Sequence, residues 1–212
     1  MAGFVSKPQR HGYKYFYGRK MVRNGRSHGS VLNAPNVFFR YLAGWIDLTD
    51  ITHAPPGERF SLESNGRTAY VYRRNDRESY FIEARIRDGR GKYLPGSGLA
   101  IWHVHTDGSN FRSDKGFPRV RLIQADGENH IYRRMNTGDA TDLFRLGLNA
   151  EFNNSTRPAA VWHDQTPSYI NIADISDTGA GSTLAVNGGE ISGNTAGGNG
   201  SGVRRTGAGL ST

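Results

Sequence analysis

The feature that most constrains this chain is a cadence of short apolar and β-branched runs cut by Gly, Pro and Asp turns. The runs fall at 46–51, 58–63, 68–73, 79–86, 98–105, 119–125, 169–175 and 183–186. Runs of about 4–8 residues bounded this way read as strands. The 28 glycines and a hydrophobic share of 36% agree, because they favour many turns over long helices. The segments 67–73 and 79–86 are joined by the polar connector Arg74-Asn75-Asp76-Arg77-Glu78, so an antiparallel hairpin is expected there. Residues 126–168 carry turn residues without a period and read as a structured functional loop.

One helix interrupts the cadence. Pro35 and Asn36 precede Phe38, Tyr41, Leu42 and Trp45, whose spacing paints one helical face and ends near Gly44. The expected fold is mainly β: a twisted antiparallel sheet or β-sandwich with one short amphipathic helix and a flexible Gly-rich tail.

Three zones separate by composition: a flank at 1–33, a β-rich domain at 34–186 and a tail at 187–212. The net charge of +8 is concentrated at the start, since residues 1–46 hold eight Lys or Arg and no acid. Lys7, Arg10, Lys14, Arg19, Lys20, Arg23 and Arg26, interleaved with Tyr13, Tyr15, Phe16 and Tyr17, form a footprint for nucleic acid or another anionic polymer. A solvated flank is the plainer reading, as no nucleic-acid motif accompanies the charge. The tail holds nine glycines and little apolar surface to offset the entropy of ordering.

The chain has no cysteine, which excludes disulfides, thiolate metal sites and cysteine nucleophiles. Met1 to His11 holds no apolar run of secretory length, and no stretch approaches the ~18 apolar residues of a membrane helix. A soluble chain with no membrane partner is the expectation.

Tyr80-Phe81-Ile82-Glu83-Ala84-Arg85, followed by Leu94-Pro95-Gly96-Ser97-Gly98-Leu99-Ala100-Ile101-Trp102-His103-Val104, reads as strand, glycine-rich turn and strand. In the same chain order stand Phe39 to Trp45 upstream, then Val120 to Gly127, Gly138 to Phe144, and Phe152 to Pro158. Taken together these blocks resemble the region after the catalytic helix in immune-inhibitor-A-type metallopeptidases. The resemblance covers about residues 36–176. It implies an extracellular setting and a β-rich block that packs against a peptidase lobe.

Two departures limit what carries over. The family's proteolysis requires a His-Glu-x-x-His helix, which sets two imidazoles on one face beside the glutamate. The seven histidines here are His11, His28, His53, His103, His105, His130 and His163, and none pairs with another at i, i+4. His105 also replaces the acid that usually follows the Trp-His-hydrophobic motif. This chain as it stands is therefore not expected to be a peptidase, and no catalytic residue is assigned.

Several other residues fit either a chemical role or ordinary structure. His103 and His105 share a strand face and can supply two zinc ligands, with His163 or Asp164 as a third. Hydrogen-bonded structure is the favoured reading of that pair. Asp139 and Asp142, with Asp126, can offer oxygen ligands to calcium, against a capping role for Asp139. Glu83, with Phe81 and Arg85 on one face, reads as half of an internal ion pair. Ser97 lacks a full Gly-x-Ser-x-Gly frame and reads as a turn residue. Trp45, Trp102, Trp162 and Tyr169 form either a sugar platform or core.

Three functions follow. The first is a non-catalytic accessory domain that supports a peptidase lobe or recognises a protein partner. The second is a stand-alone glycan- or protein-binding module. The third is a basic-armed binder of anionic polymers.

Overall fold

A computed structural model describes residues 34–55, 58–63, 68–88, 91–110, 116–177 and 183–186. The basic flank 1–33 and the tail 187–212, with the polymer-binding and flexible-tail expectations placed on them, lie outside the described residues.

Helix α1 spans Val37–Leu42. Asn36 caps it, its Oδ1 accepting the Phe39 N–H at 3.1 Å. At the other end Gly44 takes φ +70°, Trp45 N–H donates to Arg40 O and Gly44 N–H donates to Tyr41 O, both at 2.9 Å. This paired closure is the Schellman motif, which asks for glycine at that position. The expected apolar stripe is corrected here. Phe38 is buried beside Val37, but Tyr41 and Leu42 face out and Trp45 is 64% exposed. Six residues make fewer than two turns, and Trp45 lies beyond the cap, so the i+7 position is not on the helix.

Among the described residues seven strands follow: β1 Thr49–Asp50, β2 Phe60–Glu63, β3 Tyr70–Arg73, β4 Glu78–Arg85, β5 Gly98–His105, β6 Val120–Ile123 and β7 Thr183–Val186. The fold is mainly β, with a five-stranded sheet in the order β1-β3-β4-β5-β6 and a two-stranded ribbon, β2-β7. The expected hairpin is β3–β4, which pairs Arg73 with Ser79. The sheet is mixed, because β1 joins β3 in parallel. The run 169–175 is not a strand. It makes only isolated bridge contacts, at Ile172 opposite Phe152 and at Ile175, although Ile170, Ile172 and Ile175 are buried.

All eight residues of β4 are buried, so both sheet faces are covered. One face carries Val71, Phe81, Ala100, Trp102, Val104 and Leu122 and is closed by Val37, Phe38 and Ile46. The other carries Tyr72, Tyr80, Ile82, Leu99, Ile101 and Ile123. Its cover is the irregular segment after β6, through Phe144, Phe152, Trp162, Ile170 and Ile172. Each such large side chain contributes about 1.5–3 kcal/mol by leaving water. The coat is also pinned by hydrogen bonds: Tyr72 Oη donates to Ser168 O at 2.9 Å and Tyr80 Oη to Val161 O at 2.5 Å.

Candidate functional site

Across the coated face runs a cross-strand row, Tyr72–Tyr80–His103–Arg121, each residue directly opposite the next on β3, β4, β5 and β6. Trp162 from the coat stacks on Tyr80 at 4.9 Å between ring centres and on Tyr72 at 6.0 Å. Arg121, at the β6 end of this row, opens onto a cleft of about 210 Å³. Its walls include His103, His105, His163, Trp162, Phe117 and Tyr132, and Arg121 also lines it. Phe117 lies 3.8 Å from His163 and 4.8 Å from His105 between ring centres.

Glu78 anchors the cleft from beneath and is 2% exposed. Its Oε1 accepts His103 Nε2 at 2.8 Å and the His163 backbone N–H at 2.6 Å, while Oε2 accepts Arg74 Nη1 at 2.9 Å. Burial alone would raise this carboxyl. The His103, His163 and Arg74 hydrogen bonds overcome that and bring it down to about 2. Burial lowers the affinity of His103 for a second proton, and Glu78 only partly opposes the effect. The pair is therefore a neutral imidazole N–H donating to an ionised carboxylate. Arg74 reaches on to Asp164, Nη2 to Oδ2 at 2.7 Å, which holds that exposed carboxyl well below its ordinary range.

Sequence reasoning placed His103 and His105 on one face, and the structure does so. Both nitrogens involved so far are committed: His103 Nε2 to Glu78, and His105 Nδ1 to the Asp107 N–H at 3.3 Å. His103, His105 and His163 do not bring three donor atoms within 4.8 Å of one another, the spacing that a shared ion needs. Asp164, the other third ligand considered, faces Arg74.

The expected aspartate trio separates. Among the described residues, the group whose donor atoms lie within 4.8 Å of one another is Asp126, His130 and Asp139, with His130 where Asp142 was expected. An imidazole is a poor calcium ligand. Asp142 is instead fully buried, and its carboxylate accepts the Asp139 N–H at 2.6 Å and the Gln124 amide. Burial raises its affinity for a proton against those two bonds. Thr141 Oγ1 bridges Asp126 Oδ2 at 2.7 Å and Asp139 Oδ1 at 2.6 Å. The Thr141 hydroxyl hydrogen bond, with smaller help from its N–H and from Asn136, keeps Asp139 low.

Glu83 is structural, as its strand pattern implied. Its Oε1 accepts Trp102 Nε1 at 2.8 Å, Arg85 Nε at 2.9 Å and the Val37 N–H at 3.1 Å. Oε2 accepts Arg40 Nη2 at 2.6 Å, which ties α1 to the sheet. Ser97 Oγ accepts the Arg87 N–H at 2.9 Å. The tryptophans form no platform: Trp102 and Trp162 are buried on opposite sheet faces, while Trp45 and Tyr169 are exposed on separate segments.

Two residues escaped the sequence reading: Glu78 behind the cleft and Arg121 in its lining. The signal for Glu78 was an acid opening a strand opposite a histidine strand. Arg121 stood within the Val120 to Gly127 block, marked only by being the one charge in an apolar strand. Comparison with protein-family models, characterised proteins and solved structures returned no match. No described helix is long and apolar enough to cross a membrane.

Proposed function

We propose that this chain is a non-catalytic accessory domain that recognises a peptide or protein partner. It resembles the block after the catalytic helix of an immune-inhibitor-A-type metallopeptidase, and the cleft is its recognition site. The observation that carries the reading is the cleft itself, a concave site where Phe117, Tyr132 and Trp162 supply apolar walls and imidazoles supply polar points. Glu78 orients His103 through Nε2, but a base needs a nucleophile to activate. Among the described residues no serine, threonine or cysteine lines the cleft as a nucleophile. The sequence holds no His-Glu-x-x-His, so a peptidase activity would come from another lobe or chain.

The test has two arms on the purified chain. Zinc-loaded protein incubated with denatured casein is expected to leave it intact; chelator-sensitive cleavage would overturn the non-catalytic reading. Immobilised protein challenged with a tryptic casein digest is expected to retain a subset of peptides, with retention lost in the Tyr132→Ala, Phe117→Ala double variant. No retention, or retention indifferent to that variant, would remove the cleft as the recognition site.

A further inference from the structure

Arg121 is the unusual member of the cleft. It is half-buried, yet among the described residues its guanidinium makes no hydrogen bond and no ion pair, and its one specific contact is with the Tyr132 ring at 5.9 Å. The neighbouring arginines are engaged. Arg74 holds Glu78 and Asp164, Arg77 holds Asp107 at 3.2 Å, and Arg119 donates to Gly108 O at 3.2 Å. A guanidinium carries five donors in a planar fork, and leaving them unmatched in a partly desolvated site is costly. Among the described residues the carboxylates Glu78, Asp107 and Asp164 are each bound to another arginine, and none lines the cleft.

The cleft is thus a cationic fork set among aromatic faces. Its volume, about 210 Å³, is below the roughly 300 Å³ at which pockets begin to take whole drug-sized molecules. It fits one residue or one ring. His105 adds a single N–H donor: its Nδ1 accepts the Asp107 N–H, which leaves Nε2 to carry the ring proton.

From this we infer that the cleft binds a single peptide residue through its carboxylate, received by Arg121, with the rest of that residue packed against Phe117, Tyr132 and Trp162. Bidentate pairing is what an arginine fork offers a carboxylate, and aromatic walls reward a ring or an aliphatic body beside it. The carboxylate is either a chain terminus or an acidic side chain. The inference rests on the recognition reading above and sharpens it.

The experiment titrates the full chain with three probes, following imidazole, indole and amide signals by NMR. N-acetylphenylalanine presents a terminal carboxylate, N-acetylphenylalaninamide is its neutral isostere, and N-acetylglutamate α-amide presents a side-chain carboxylate. The acid is expected to shift His105, His163 and Trp162 signals and to bind at least about tenfold more tightly than the amide. Arg121→Met is expected to erase that preference while changing the melting temperature little, since the one described contact of Arg121 is with the Tyr132 ring. The glutamate probe ranks side chain against terminus. Equal binding of acid and amide, or a preference surviving Arg121→Met, overturns the carboxylate inference and leaves the recognition reading intact. Shifts from none of the probes also overturn it. The casein-digest retention then separates the two ideas, because peptides still retained keep the recognition reading and peptides not retained remove both.

Discussion

His103 Nε2 lies 2.8 Å from Glu78 Oε1, and the two side chains are almost wholly buried at the floor of the cleft. The same carboxylate takes the His163 backbone N–H, so one acid fixes a β5 imidazole and the coat segment bearing another imidazole. The spacing of the cleft depends on that carboxylate staying ionised.

Stability should therefore fall in acid in two stages. His103 takes a proton less readily in the fold than at its ordinary value of 6.5, so its contribution is full above that pH and declines below it. Glu78 is held at about 2 against an ordinary 4.5, so its contribution is full above 4.5 and is lost as pH falls toward 2. The second stage is worth roughly 2–4 kcal/mol from the size of that shift. Urea midpoints measured across this range should show both declines, and His103→Gln should remove the upper one and shrink the lower, because His103 helps hold Glu78 down.

Replacing Glu78 separates charge from shape. Glu78→Gln keeps an oxygen for His103 and His163 but turns an amide N–H₂ toward Arg74, and a loss of about 1–3 kcal/mol is expected. Glu78→Ala strands three donors and should cost about 3–5 kcal/mol. Equal, small losses in urea denaturation would show that the network does not hold the coat.

The helix attachment makes a parallel case on the opposite face. Glu83 receives Arg40, Arg85, Trp102 and the Val37 N–H, and it is the polar centre where α1 meets the sheet. Glu83→Ala should destabilise by about 3–5 kcal/mol, because two buried guanidinium groups lose their counter-charge. Trp102→Phe removes one donor and should cost about 1 kcal/mol, measured the same way.

What the sequence disclosed follows the range of the interactions involved. The β3–β4 hairpin was legible because its polar connector and alternation are local, and α1 was placed correctly by Asn36 and Gly44. The buried face of α1 was not legible, since Trp45 spaces as i+7 only if the helix continues past Gly44. Residues 169–175 show the same limit for strands: Ile170 and Ile172 report burial, whereas a ladder also needs a partner backbone. At the site, His103 and His105 share a face by strand geometry alone. Glu78 gathers groups from positions 74, 103 and 163, a convergence made only by the tertiary fold. The importance of Arg121 lies in the partner it lacks among the described residues, which no spacing rule records.

Gly98 and Gly44 make unlike demands on the chain. A Cβ on Gly98 would lie 2.5 Å from Phe144 O and 2.8 Å from Leu143 Cβ, where the coat crosses the start of β5. Leu99 N–H donates to Phe144 O at 2.8 Å at that crossing, so neither backbone can retreat without breaking the bridge. Gly44 is different: its φ of +70° disfavours a side chain, but a Cβ there meets nothing within 4 Å. Gly44→Ala should cost about 1–2 kcal/mol, the strain of a left-handed residue alone. Gly98→Ala adds overpacking of about 1–3 kcal/mol and displaces the coat that walls the cleft. Urea unfolding should rank Gly98→Ala as the more damaging, and in the folded fraction it should shift the Trp162 indole signal while Gly44→Ala leaves it in place. The reverse order would mean that the coat and sheet are not packed against each other at this crossing.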